Sequence, residues 1–358
     1  MTSLPDFLQP RFLTFFSFSK EDSMILKGYG ILFMIFHHTF GLYVLPPEVD
    51  TAWISPCLTQ YADIFKICVA IFFFITGYAM TITMPRNTSF LSSVKIGVLH
   101  YFKFWQIYLF CLLLVVLISW SAPAPTLPSP GSLGWESWIL SLSGLRPSYL
   151  DWWYMGLFAV GTLVLFPACA FFMQAKSPLL SIVALWILSL LPQIVMAMEN
   201  PNYLHVKIPN FPHFIPLFIF GCMSAFFTLH LSKNSSWKFW MSLLTLAFEI
   251  ITIHYYCFCY EETLTLLFLF SLWCLPYLTN KLHLTSLLTL LGTYSALMWL
   301  SHRFIFGYHF SREIYGTHSY VIVYGSTVLG SLILAIALQW LINQIPNLFH
   351  LHPSASSR

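Results

Sequence analysis

The chain has 358 residues, of which 58% are hydrophobic and 8% charged, with a formal net charge of +3. Soluble domains carry roughly 25% charged residues, so this composition excludes a soluble globular domain and predicts a polytopic membrane protein. The mean hydropathy of +0.75 agrees, and the absence of any basic run excludes nucleic acid as a partner.

Residues 1–23 contain Pro5, Pro10, Arg11 and Lys20 but no signal-peptide pattern, and read as a cytoplasmic, interfacial segment. From there a spanning helix needs about 20 apolar residues. That length predicts an all-α bundle of about ten spanning helices, near 24–45, 61–84, 94–119, 152–174, 178–198, 212–231, 238–258, 262–280, 285–308 and 318–342. They form one membrane domain, 24–342, followed by a cytoplasmic tail, 343–358. Cations in the predicted loops set the orientation. Arg11, Lys20, Arg86, Lys95, Lys176, Lys233, Lys238, Lys281 and Arg358 fall on one side, and only Arg146, Lys207 and Arg312 on the other. Both termini are therefore expected in the cytoplasm, which requires an even number of spans.

The first span reads "ILKGYGILFMIFHH", Ile25 to His38. Ionisable groups at membrane depth are costly and face a bundle interior or a wet cavity. Lys27 and His38 are eleven residues apart, about 16 Å and roughly three turns, so they share one face. His37 points about 100° away and is expected to support rather than react. A structural hydrogen bond is the plain alternative for any single membrane histidine.

In the second span, Asp63 and Lys66 read as a neutralising pair three residues apart. Beyond them "FFFITGYAM" groups Thr76, Gly77 and Tyr78, where packing is the bland explanation of the glycine. The third span, "KIGVLHYFKFWQIY", begins with a snorkelling Lys95 and carries Lys103 deeper, where it is expected to be a cavity cation. The following connection, 120–151, holds "SAPAPTLPSPGSLG", which cannot be helical throughout. After it "WESWILSLSGL" is placed along the outer interface, its tryptophans at headgroup level.

The fourth span opens on "DWWYMG", with Trp153 and Tyr154 in the position of an interfacial aromatic belt. In the seventh, Glu249 is a candidate partner for one of the buried cations. The ninth, "LGTYSALMWLSHRFI", contains Ser295, and carries His302 and Arg303 in its outer half. Eight cysteines lie mostly in apolar stretches without a CxxC pair, Cys257 and Cys259 forming a lone CxC, so they read as small apolar residues and no metal site is expected.

At these residues the sequence resembles the acyltransferase-3 family of integral-membrane acyltransferases. Lys27 to His38 has the spacing of the family's basic residue, ten residues, then histidine. "FFFITGYAM" is similar to its Phe-Phe-x-x-Ser-Gly-Tyr segment with Thr76 in place of serine, and "DWWYMG" to its Trp-Tyr-Leu motif. "LGTYSALMWLSHRFI" resembles its late Gly-x-x-Ser-Tyr-x-x-Tyr-Leu-x-His segment at Gly292, Ser295 and His302. The family usually has arginine where Lys27 stands; lysine keeps the charge but not the planar fork.

The resemblance implies a stand-alone O-acetyltransferase of the bacterial inner membrane. It would move an acyl group, commonly acetyl from acetyl-CoA, to a hydroxyl of a sugar, glycan or glycolipid of the cell envelope. No permanently bound cofactor is implied; acyl-CoA is the co-substrate, and membrane lipids are the surroundings. In that reading His38 and His302 are catalytic, with His38 as general base and His302 orienting the acceptor. Lys27 and Lys103 hold donor phosphates or the developing oxyanion, and Thr76, Tyr78, Trp153, Tyr154, Ser295 and Arg303 line the channel for acyl group and acceptor. Two other readings of the same polar groups remain: a transporter with a proton or substrate relay, and a non-catalytic membrane protein that uses them for assembly.

Overall fold

Ser19 and Asp22 start the first described helix by bonding each other's backbone. The Ser19 Oγ accepts from the Asp22 N–H at 3.0 Å and the Asp22 carboxylate accepts from the Ser19 N–H at 2.9 Å, a reciprocal capping box. Glu21 and Asp22 in the first turn also complement the helix dipole. The computed structural model describes residues 18–41, 45–46, 48–85, 88–121, 134–145, 152–199, 211–231, 272 and 275–344. Among these residues there are helices and no strands.

In chain order the elements are α1 (Lys20–Phe40), α2 (Pro56–Ile64), α3 (Ile67–Ile82), α4 (Phe90–Ser121), α5 (Trp135–Leu142) and α6 (Tyr154–Val160). After a π-helical turn, Gly161–Leu165, come α7 (Phe166–Met173), α8 (Pro178–Glu199), α9 (Phe211–Leu231) and α10 (Thr285–Arg303). A second π-helical turn, Phe304–His309, leads to α11 (Ser311–Tyr315) and α12 (Tyr320–Asn343). Eight of the ten expected spans thus coincide with described helices, to within a few residues at each end. The seventh, with Glu249, and most of the eighth lie outside the described residues, as do Cys257 and Cys259. By length and hydropathy four helical runs among the described residues can cross a bilayer: Pro56–Ile82, Phe90–Leu117, Tyr154–Met173 and Tyr320–Asn343.

Two of these runs are broken for identifiable reasons. Between α2 and α3 the helix tightens, the Phe65 N–H bonding back only three residues to the Ala62 carbonyl. The His37 ring nitrogen Nδ1 takes the same carbonyl at 2.8 Å, so the interrupted turn keeps its acceptor satisfied. Between α6 and α7 the cause is Pro167, whose missing N–H and bulky ring disturb the turn before it and give the π bulge.

The chain folds into two compact units. The first holds Met1–Leu26, Val69–Gly97 and Gly161–Thr289. In it α3 and α9 cross through glycine. Gly77 faces the Phe218 carbonyl and Gly221 faces the Phe74 carbonyl, both too close for a side chain. This is the small-residue approach that lets membrane helices gain dispersion contact where burial from water offers nothing.

The second unit holds Lys27–Cys68, Val98–Val160 and Leu290–Arg358. One of its clusters packs Phe40, Ile54, Ala62, Phe306, Tyr315 and Val323. Two phenols fasten α1 there: Tyr315 donates to the Thr39 carbonyl at 2.7 Å and Tyr324 to the Leu32 carbonyl at 3.0 Å. The segment expected at the outer interface is α5, with Trp135 72% exposed. Its C-terminal carbonyls are met by an aromatic ladder on α4. Tyr108 donates to Ser141 O at 2.6 Å, Trp105 Nε1 to Leu142 O at 2.7 Å, and Tyr101 to Ser143 O. These donors satisfy acceptors that the end of a helix leaves open.

Candidate functional site

The second unit brings two of the sequence-selected residues into direct contact. His38, near the end of α1, places Nδ1 2.7 Å from Nε2 of His302, near the end of α10. The rings lie nearly parallel, 15° apart with centroids 4.9 Å apart. His302 is completely buried, whereas His38 keeps partial exposure. Each is carried near a helix terminus, α1 ending in His37–Phe40 and α10 in His302–Arg303.

A backbone carbonyl fixes where the hydrogens sit. His302 Nδ1 is 2.7 Å from the Trp299 oxygen, which accepts only, so Nδ1 carries the hydrogen. In a neutral ring the opposite nitrogen, Nε2, is then bare and accepts from His38 Nδ1–H. That leaves the lone pair of His38 on Nε2. The chain of donors runs from His38 through His302 to Trp299, and its free end is a base nitrogen on the more accessible ring. Should His38 take up a proton, its Nδ1–H stays bonded to a ring that the protein has already oriented.

Trp299 is not among the residues selected from the sequence, although it stands at the second tyrosine of the late motif, one helical turn before His302, where its carbonyl meets the imidazole. Its indole is held by two rings, Phe104 nearly parallel at 6.0 Å and Tyr154 edge-on at 5.6 Å. Tyr154, buried, therefore reaches the histidine pair through Trp299. Arg303 is buried beside His302; its guanidinium lies over the Phe306 ring, 5.5 Å from the centroid. Gly307 gives its stem room, since a Cβ there would come within 2.9 Å of Arg303 Cδ. Burial pushes the pKa of the nearby Tyr315 phenol up, against the opposing pull of the Arg303 charge. The phenol thus stays protonated and keeps donating to the Thr39 carbonyl, next to His38.

The other expected residues fall at varied distances from this centre. Lys27 is part-buried in the same unit, and eleven residues of continuous helix place it about 16 Å along α1 from His38. Lys103, expected as a cavity cation, is instead exposed, because it lies on the outward side of α4 beside the exposed Phe102. Ser295 is buried and its hydroxyl bonds the Gly292 carbonyl of its own helix at 2.9 Å; Trp153 is part-buried at the start of α6. Thr76 and Tyr78 belong to the first unit, so they do not join the histidine pair within one unit. Their hydroxyls are engaged with backbone: Thr76 donates to Phe72 O at 2.7 Å, and Tyr78 accepts from the Phe18 N–H at 2.9 Å and donates to the Phe18 carbonyl at 3.1 Å. Tyr78 thereby ties down the segment entering α1. His37, as its phase on the helix indicated, turns to Ala62. Of the described cysteines, Cys68, Cys111, Cys169 and Cys222 are buried and Cys57 is exposed.

Four apolar helical runs of spanning length, with α1 and α10 bringing two histidines into hydrogen bond, mark an integral-membrane helical protein. The chain matches the family described as the acyltransferase domain over residues 24–340, nearly its whole length, and it belongs to the acyltransferase-3 family. No curated protein and no solved structure matches it significantly.

Proposed function

We propose that this membrane acyltransferase moves an acyl group, acetyl in the simplest case, from acyl-CoA to a hydroxyl of a sugar, glycan or glycolipid, with His38 as general base. The observation that carries the reading is the hydrogen bond between His38 Nδ1 and His302 Nε2, because it leaves the His38 Nε2 lone pair for an incoming hydroxyl. His38 Nε2 takes the hydroxyl proton as the acceptor oxygen attacks the thioester carbonyl. The C–O bond forms, the tetrahedral oxyanion collapses, and the C–S bond breaks. The proton held on His38 passes to the departing thiolate, giving free CoA and the ester and returning the ring to its starting state.

His302 acts through His38, holding its tautomer, instead of touching the acceptor. Lys27, about 16 Å along α1 from His38, supplies positive charge to the donor's phosphates and lies too far away to meet the oxyanion, and Lys103 is an accessible cation for the same phosphates. The protein sits in the bacterial inner membrane with both termini in the cytoplasm, where acyl-CoA is found, as the excess of loop cations on that side favours.

The test is purified protein with labelled acetyl-CoA and a panel of hydroxyl acceptors. Wild type transfers label to acceptor, and His38→Ala lowers the turnover by about 10²–10⁴-fold at unchanged protein level. Near-normal turnover in that variant would remove His38 as the base, and solute flux without labelled product would make the protein a transporter.

A further inference from the structure

The second unit contains a groove that the proposed chemistry has not used. It encloses about 470 Å³, within the range of small-molecule sites. One wall is α12, where Gly330, Ile333, Leu334 and Ala337 follow the spacing of a single helical face. The opposite wall is the end of α10 and the π turn after it, with Ser301 and Ile305, and α4 closes the bottom with Cys111 and Leu114. Nothing in the lining offers a charge, and the Ser301 hydroxyl is directed to the Met298 carbonyl of its own helix. Gly330 lets α12 come close to the π turn, since a Cβ there would press on Ile305 at 3.2 Å.

The surroundings specify what fills such a groove. The runs Phe90–Leu117 and Tyr320–Asn343 are of spanning length yet only 28% buried within the protein, so their outer faces lie in bilayer hydrocarbon. Ile333 at the rim is 59% exposed on that side. A sugar has no hydrogen-bond partner there and a charged donor is excluded, whereas a hydrocarbon chain enters directly from the membrane. The groove and the histidine pair lie on neighbouring faces of α10, since Ser301 lines the groove and His302 is the next residue, about 100° round the helix. A chain seated against Ser301 therefore needs only to pass round one face of α10 for its head to meet the reacting centre.

Resting on the proposed acyl transfer, we infer that the groove between α10, α12 and α4 binds the single hydrocarbon chain of a lipid-linked acceptor, so that the acceptor is a glycolipid or other hydroxyl-bearing amphiphile.

The test uses protein in lipid nanodiscs and n-alkyl glucosides of increasing chain length. A dodecyl glucoside carrying a chain diazirine is expected to label the segment 330–338 on irradiation, and excess plain dodecyl glucoside to prevent it. In the transfer assay KM should fall as the chain lengthens, by about tenfold or more from butyl to dodecyl. Ala337→Phe, which fills the exposed end of the groove, should remove both the labelling and the chain-length dependence. Gly325→Ala, where an added methyl meets open space on the same helix, should keep both. Labelling that phospholipid competes as well as the glucoside would show a lipid-facing surface only and overturn the inference, as would labelling confined to other segments. A KM independent of chain length would also overturn it while leaving the acyl transfer standing. Loss of the acyl-transfer reading would appear separately, as absence of labelled product with every acceptor, and in that case competed labelling at 330–338 that phospholipid does not match fails to rescue the acceptor assignment.

Discussion

His38 Nδ1 and His302 Nε2 lie 2.7 Å apart, and only one of those nitrogens carries the hydrogen. The Trp299 carbonyl assigns it to His38 by occupying the other side of His302. A side chain at 302 that merely fills space loses that assignment, while one that accepts a hydrogen bond keeps part of it. His302→Ala should therefore lower kcat by about 10²-fold with little change in KM, the scale of a disturbed general base. His302→Gln, whose amide oxygen accepts from His38 Nδ1–H, should recover part of the loss. Steady-state kinetics on both variants decides it; equal losses in Ala and Gln would mean that packing, not the tautomer, is what His302 provides.

Lys27 and Lys103 separate by environment. Lys27 is part-buried and Lys103 exposed, so removing the first deletes a charge in a less screened site. Lys27→Ala should raise KM for acetyl-CoA by about tenfold, the loss of one charge-assisted contact, and Lys27→Arg should stay near wild type. Lys103→Ala should change KM by less than about threefold, as exposed charges contribute little. The reverse order, measured with the same donor titration, would relocate the donor's phosphates to α4.

In the first unit the α3–α9 crossing has no slack. A side chain at Gly77 collides with the Phe218 carbonyl, and backbone cannot yield as a flexible side chain would. Gly77→Ala should lower stability by about 1–3 kcal/mol, the range for overpacking. The readout is the monodisperse fraction of solubilised protein after mild heating. Gly325→Ala, with nothing within 4 Å in the interior of α12, serves as the comparison and should not lower it. Indistinguishable behaviour of the two would show that α3 and α9 can separate freely.

Much of this is legible in the sequence because hydropathy and helical phase are local. The spans 285–308 and 318–342 correspond to Thr285–Arg303 with its π turn and to Tyr320–Asn343, and phase alone sends His37 away from the Lys27 face. What escapes is what depends on other helices. The span 61–84 carries no local sign of its break at Phe65–Lys66, where a ring from α1 takes the Ala62 carbonyl. Lys103 has the residue type of a cavity cation, yet only the packing of α4 decides that it faces outward. Tyr78 has the look of a channel phenol, and its hydroxyl is occupied by Phe18, 60 residues away. The contact of His38 with His302 spans 264 residues, beyond any periodicity.

The ladder that holds α5 offers a graded test of the same packing. Tyr108 is buried where it meets the Ser141 carbonyl, whereas Trp105 meets the Leu142 carbonyl at an exposed position. Water or a lipid headgroup can replace the indole donor, but little can replace the buried phenol. Tyr108→Phe should therefore cost about 1 kcal/mol, the net value of an ordinary hydrogen bond, and lower Tm in detergent by a few degrees. Trp105→Phe, which keeps an aromatic body and removes the donor, should cost less. A larger loss from Trp105→Phe would mean that the exposed end of α5, not its buried end, is what fastens the helix to α4.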